Sequence, residues 1–219
     1  MFNYQGILQF KGKWRDYQAR VLQNAGKYLS DGRIHIVAAP GSGKTTLGIE
    51  LIRRLNEKAL VLTPSITIRE QWVARIAEAF LCEGINPDDY LSQSLKEPKA
   101  ITVATYQSLH SAMTRGKDTG EVSADGEIDT DDTSNAASVS TAGANSTGKT
   151  EDYKEFDLVA TMKAAGIGVL CLDECHHLRS EWWKALEDFK NQLGNVRIIA
   201  LTATPPYDST PAMWNRYMN

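Results

Sequence analysis

One stretch limits the possible folds of this chain more than any other. Ile34 to Ala38 is rich in β-branched residues, Ala39 to Gly43 is a turn of small residues, and Leu47, Leu51, Ile52 and Leu55 then fall at helical spacing. A strand that delivers a glycine-rich loop into a helix brings backbone amides and the positive end of the helix to one point, which suits a phosphate. Pro40, Gly41, Ser42 and Gly43 form the loop, and Thr46 follows in the first turn. Lys44 is expected to pair with terminal phosphates and Thr45 to hold magnesium. A second string, Gly143 to Thr150, fits the written pattern more closely, because the first has Ala38 where the pattern begins with glycine. What precedes it, Asn135 to Ala142, is too small and polar for a buried strand. Lys149 is therefore expected to be a decoy.

The rest of the chain keeps a strand-helix rhythm. Ala59 to Leu62, Ile101 to Ala104, Gly168 to Leu172 and Val196 to Leu201 are short aliphatic runs, while Ile66 to Phe80 and Trp182 to Leu193 have helical spacing. Trp14 to Leu29 reads as a leading helix with Tyr17, Val21, Leu22, Ala25, Tyr28 and Leu29 on one stripe. Such alternation builds an α/β fold, a mostly parallel sheet with helices on both faces. The longest apolar run, Ile167 to Leu172, is strand-sized, so a membrane is not an expected partner. Met1 to Phe10 has no basic leader, and three cysteines make a poor disulfide framework, so the expected location is cytoplasmic.

Net charge is −3, but it is unevenly spread: residues 116–150 carry −5 and the remainder +2. That acidic segment has almost no large apolar residue and cannot repay an ordering cost of roughly 1 to 2 kcal/mol per residue. It is expected to be a flexible insertion. The mildly basic remainder would have to meet nucleic acid through placed groups and not through a strong overall field.

The run Gly168 to Leu172 ends in Asp173 and Glu174. A phosphate loop works with a carboxylate-bearing strand beside it, so Asp173 is expected to orient Mg²⁺ and Glu174 to polarise the attacking water. A zinc site from Cys171, Cys175, His176 and His177 is set aside. Cys171 and Cys175 share a face of an extended strand but lie roughly 13 Å apart by strand rise, and Cys171 reads as core.

Gly41-Ser-Gly-Lys-Thr45, Asp173-Glu174-Cys175-His176 and Leu201-Thr202-Ala203-Thr204-Pro205 resemble motifs I, II and III of superfamily 2 helicases and translocases, in that order. Trp14-Arg-Asp-Tyr-Gln18 resembles the Q motif, Leu62-Thr-Pro-Ser65 with Gln71-Trp72 motif Ia, and Val103 to Ser108 the next nucleic-acid-contacting block. The short gap from Gln18 to Lys44 and the Thr-Ala-Thr-Pro form look closer to the type III restriction subunit-like branch than to the DEAD-box RNA helicases.

The resemblance implies a P-loop NTPase domain of the RecA-like type. ATP and Mg²⁺ are then the cofactors, Gln18 reads adenine, and Tyr17 or Arg15 stacks on the base, with core packing the favoured role for Tyr17. Thr63, Ser65, Thr105 and Gln107, near strand ends, meet a nucleic-acid backbone, DNA ahead of RNA, or else serve as ordinary helix caps. His176, Thr202 and Thr204 couple nucleotide state to movement, with a structural hydrogen bond the alternative for His176. On this reading residues 1–32 are a helical segment with the Q motif, 33–206 the ATP-binding domain, and 207–219 the start of a linker to a second RecA-like domain. That second domain would supply arginine fingers, so this piece alone would turn ATP over weakly or not at all. The rival readings are a complete small phosphate-loop kinase, for which no arginine-bearing lid is apparent, and a non-hydrolysing nucleotide or nucleic-acid scaffold.

Overall fold

Aliphatic segments alternating with helical ones pair here as a single sheet. The computed structural model describes residues 2–29, 32–115, 156–175, 178 and 180–203. Its elements are α1 (Asp16–Tyr28), β1 (Arg33–Val37), α2 (Lys44–Leu55), β2 (Lys58–Thr63), α3 (Ile66–Ala79), α4 (Pro87–Tyr90) and β3 (Leu91–Ser92). They continue with β4 (Ile101–Thr105), α5 (Tyr106–Arg115), α6 (Leu158–Ala165), β5 (Ile167–Asp173), α7 (Ser180–Leu193) and β6 (Arg197–Thr202). Among the described residues the six strands are all parallel, in the order β1-β6-β5-β2-β4-β3. The acidic segment 116–150, the second loop-like string ending at Lys149 and Thr150, and residues 207–219 lie outside the described residues.

Parallel strands covered on both faces need apolar side chains on both, and β2 has them. Ala59 and Val61 pack with Leu47, Leu51, Trp72 and Ile76 on one side of the sheet, while Leu60 and Leu62 pack with Leu109, Met162, Leu186 and Phe189 on the other. Truncating one of these, Ile76 for example, would cost about 2 to 5 kcal/mol. Trp183 is buried in the second layer and Trp182 is only partly covered, as a helix that turns adjacent positions about 100° apart requires.

The structure corrects three local expectations. The strand bearing Asp173 is not hydrogen-bonded to the loop strand, because β6 pairs with β1 on one side and β5 on the other. The N-terminal segment becomes helical only at Asp16. Before it, Tyr4 donates from its hydroxyl to Ala100 O at 2.8 Å, and Phe10 packs between Trp14 and Phe80. Cys171 and Cys175 enter opposite core layers, because β5 stops at Asp173 and Glu174 turns the chain with φ 46°. Cys171 is the buried core residue expected.

Helix α2 approaches the sheet through Gly48. A Cβ there would lie 2.8 Å from Leu201 Cδ1 and 3.0 Å from Trp72 Cη2. Gly48→Ala should therefore lower stability by about 1 to 3 kcal/mol through overpacking, outweighing the roughly 1 kcal/mol that alanine contributes to helix propensity. Thermal unfolding followed by circular dichroism checks this, and a higher midpoint would show that the neighbours yield freely.

Candidate nucleotide site

The loop between β1 and α2 is gripped from behind by the first turn of α1. Arg15 Nη1 donates to Gly41 O at 2.9 Å, the Tyr17 hydroxyl to Ser42 O at 2.6 Å, and Gln18 Nε2 to Gly43 O at 3.1 Å. Three successive carbonyls are thus held on one side. A trans peptide sets each following N–H opposite its carbonyl, so the amides of Gly43 and Lys44 are directed away from α1. Gly43 itself is the N-cap of α2 in a left-handed conformation, φ 92°. A side chain there would be strained, and its Cβ would lie 2.7 Å from Gln18 Nε2.

Gln18 is buried, and its carbonyl oxygen accepts the Arg15 N–H at 3.0 Å, so both ends of its amide serve the loop and the start of α1. It still lines the cleft in which Pro40, Gly41, Gly43, Lys44, Thr45 and Thr46 meet Asp173 and Glu174. Tyr17 packs against the core and binds the loop at once. Neither the Arg15 nor the Tyr17 contact was legible in the sequence, because partners 26 and 25 residues away leave no periodic trace.

Lys44 is buried, and its ammonium group donates to Ala38 O at 3.0 Å and pairs with Glu174 Oε1 at 3.2 Å. The other carboxylate oxygen of Glu174 accepts the Ala203 N–H at 3.0 Å. Glu174 therefore bridges the loop lysine and the end of β6. Ala38 N–H donates to Thr202 O at 3.0 Å, which ties the loop's first residue to the same strand end.

Asp173 is buried at the end of β5, where Trp72 Nε1 donates to its Oδ2 at 2.7 Å and the Tyr106 hydroxyl to its backbone oxygen at 3.0 Å. Burial pushes the Asp173 carboxyl up to about 6. The Trp72 N–H opposes that shift, the charge of Glu174 adds to it, and Lys44 opposes it. Two acids and one lysine, with Thr45 in the same cleft, make a set of hard oxygen donors short of positive charge. That donor chemistry fits a divalent cation such as Mg²⁺.

The expected nucleic-acid contacts separate by exposure. Ser65 is exposed at the N-cap of α3, where its hydroxyl accepts the Ile68 N–H, and Gln107 is exposed on α5. Thr63 is fully buried, its hydroxyl shared between Ser65 O and Ala104 O, both at 3.2 Å. Thr105 is 6% exposed and accepts the Ser108 N–H at the start of α5. Thr202 is buried at the end of β6, whereas His176 and Thr204 lie outside the described residues.

Residues 11–207 match the family model described as type III restriction enzyme, res subunit. Over 114 residues, 52% of this chain, it is 29% identical to the DNA 3'-5' translocase XPB2 of Sulfurisphaera tokodaii, and it spans 24% of that protein's length. The Pyrococcus furiosus Hef helicase domain superposes with a TM-score of 0.55 at 18% identity, covering 94% of this chain and 35% of that one. The UvsW helicase from Bacteriophage T4 gives 0.57 at 12% identity, covering 97% of this chain and 61% of that one. With nearly its whole length matched by the family model and its sheet superposing on helicase domains, this chain belongs to the type III restriction enzyme res subunit family and is a superfamily 2 RecA-like domain.

Proposed function

We propose that the chain is the ATP-binding N-terminal motor domain of a superfamily 2 helicase or translocase that couples ATP hydrolysis to movement on nucleic acid. The observation that carries this reading is the 3.2 Å pair of Lys44 and Glu174 in one cleft with Thr45 and Asp173. Lys44 and Glu174 neutralise each other. When Lys44 donates instead to a phosphate oxygen, Glu174 Oε1 is released to accept a proton from water, and Ala203 N–H keeps the carboxylate in place. Thr45 and Asp173 are the groups that would hold Mg²⁺, which when bound neutralises charge on the transferred phosphoryl group. Gln18, beside Gly43, is the proposed reader of the adenine edge, and its amide has donor and acceptor capacity beyond the bonds it makes to Gly43 and Arg15.

Ser65 and Gln107 are the proposed backbone contacts at the surface, with Thr63 and Thr105 shaping the strand ends beneath them. His176, Thr202 and Thr204 are the proposed coupling residues. DNA is named ahead of RNA because the translocase relative acts on DNA and the family takes its name from a restriction subunit. A second RecA-like domain facing the cleft would add the arginines that complete phosphoryl transfer. No helix among the described residues is long and apolar enough to cross a membrane, and the proposed working place is the cytoplasm.

Binding of a fluorescent ATP analogue tests the reading. Lys44→Ala should weaken it roughly 10- to 100-fold, the worth of one hydrogen bond to a charged group, while Lys149→Ala should leave it unchanged. Equal losses from both substitutions would overturn the assignment of the loop.

A further inference from the structure

Trp72 does not line the nucleotide cleft, yet it makes the one side-chain to side-chain hydrogen bond that Asp173 is seen to accept among the described residues. The two are 101 positions apart, the indole is fully buried on α3, and Nε1 lies 2.7 Å from Oδ2. A carboxylate at a strand end can rotate about its side-chain torsions, and a short bond from a fully packed ring removes that freedom. Tyr106, the first residue of α5, fixes the same residue from the other end by donating to its backbone oxygen. Asp173 is therefore clamped between the two helices that start at the proposed nucleic-acid contacts, α3 after Ser65 and α5 after Thr105.

We propose that Trp72 is a positioning residue for Asp173: its indole N–H holds the carboxylate in the orientation that receives the metal of the nucleotide complex, and it makes that orientation depend on the seating of α3. The proposal rests on the ATP-binding reading above. It differs from a plain core role, in which the ring would only fill space between α2, α3 and the sheet. Phenylalanine keeps most of that volume and removes the donor, so the two roles separate.

The test measures affinity of the 219-residue chain for a fluorescent ATP analogue, with Mg²⁺ and with EDTA. In Trp72→Phe the gain in affinity that Mg²⁺ provides should shrink about 10-fold, as loss of an outer partner of a metal ligand does. Affinity in EDTA should stay within about twofold of wild type, and Asp173→Asn combined with Trp72→Phe should lose no more than Asp173→Asn alone. A Mg²⁺ gain equal to wild type in folded Trp72→Phe overturns the proposal and leaves the nucleotide reading standing. No ATP binding by the wild-type chain overturns both. Should Trp72→Phe fail to fold, the assigned indole N–H resonance of Trp72 in the wild-type chain decides the matter. It should move on adding Mg²⁺ to the nucleotide complex and in Asp173→Asn, and a resonance that stays still in both overturns the proposal.

Discussion

Glu174→Gln is expected to lower ATP turnover by roughly 10²- to 10⁴-fold, the usual worth of a positioned general base, while ATP remains bound as tightly as before or tighter. Both halves follow from the bridge that Glu174 makes. Its Oε2 accepts the Ala203 N–H, a bond that a glutamine oxygen can keep, so the side chain stays where it is. The left-handed turn at φ 46° stays too, and glutamine tolerates it no better and no worse than glutamate. What disappears is the negative charge 3.2 Å from Lys44. In the wild type a phosphate must displace that carboxylate from the lysine. In the variant it meets a lysine that keeps its bond to Ala38 O and has lost its ion pair. Phosphate release by a chain that includes the proposed second RecA-like domain, with saturating nucleic acid, gives the turnover, and equilibrium binding of the analogue gives the affinity. Turnover within tenfold of wild type would remove Glu174 as the base, and a large fall in both quantities would mean the substitution damages the loop itself.

The parts of this molecule that could be read in the sequence are those set by neighbours along the chain. Ile34 to Ala38 and Gly168 to Leu172 were legible as strands because their apolar content and length suit a sheet buried on both faces, and they fall within one residue of β1 and β5. For Lys44 the context read in the sequence, a strand before and a helix after, is what the fold has in β1 and α2, whereas Lys149 lies outside the described residues. The short elements escaped: α6 spans eight residues and β3 two, too few for a periodic pattern to rise above chance. Sheet order escaped as well, because the insertion of β6 between β1 and β5 is a matter of non-local pairing.

The bonds that give the site its chemistry are of the same non-local kind. Trp72 has the helical spacing of a core residue, with Ile68 and Ile76 one turn away on either side, and that is all its neighbours reveal. That its polar edge meets Asp173 depends on how α3 packs over β5. Thr63, Ser65, Thr105 and Gln107 could all be placed at strand ends, but which of them face solvent depends on where each strand stops. Thr63 and Thr105 are the last residues of β2 and β4 and are buried in the sheet, whereas Ser65 and Gln107 lie two residues further on and are exposed.

Asp173→Asn should make the metal-free chain more stable at neutral pH, even as it removes the proposed metal ligand. Asp173 is 4% exposed, and burial raises its carboxyl from 3.8 to about 6. A carboxylate shifted in this direction is better tolerated protonated in the native state than ionised. Between those two values the native chain holds a proton that the unfolded chain has released, so stability falls as pH rises through the window. Above it the loss is constant, about 3 kcal/mol for a shift of about two units. Asparagine keeps an oxygen for the Trp72 N–H and carries no charge, so it avoids that cost. Lys44 loses one nearby anion but keeps Glu174, which offsets part of the gain. A net stabilisation of about 1 to 3 kcal/mol is expected, a rise of several degrees in melting temperature for a chain of this size. Urea unfolding in EDTA from pH 4 to 8 measures it. His35 and Glu50, both held below their ordinary values in the fold, add stability as pH rises and run against this trend. The effect is therefore read as a difference: the advantage of Asp173→Asn over wild type should grow between about pH 4 and 6. A variant less stable than wild type at pH 7.5 in EDTA, or an advantage that does not grow across that window, would contradict the buried charge. The expected pattern instead makes Asp173 a residue whose ionised form weakens the empty fold and is repaid only when a cation arrives, a trade of stability for function located at one atom group.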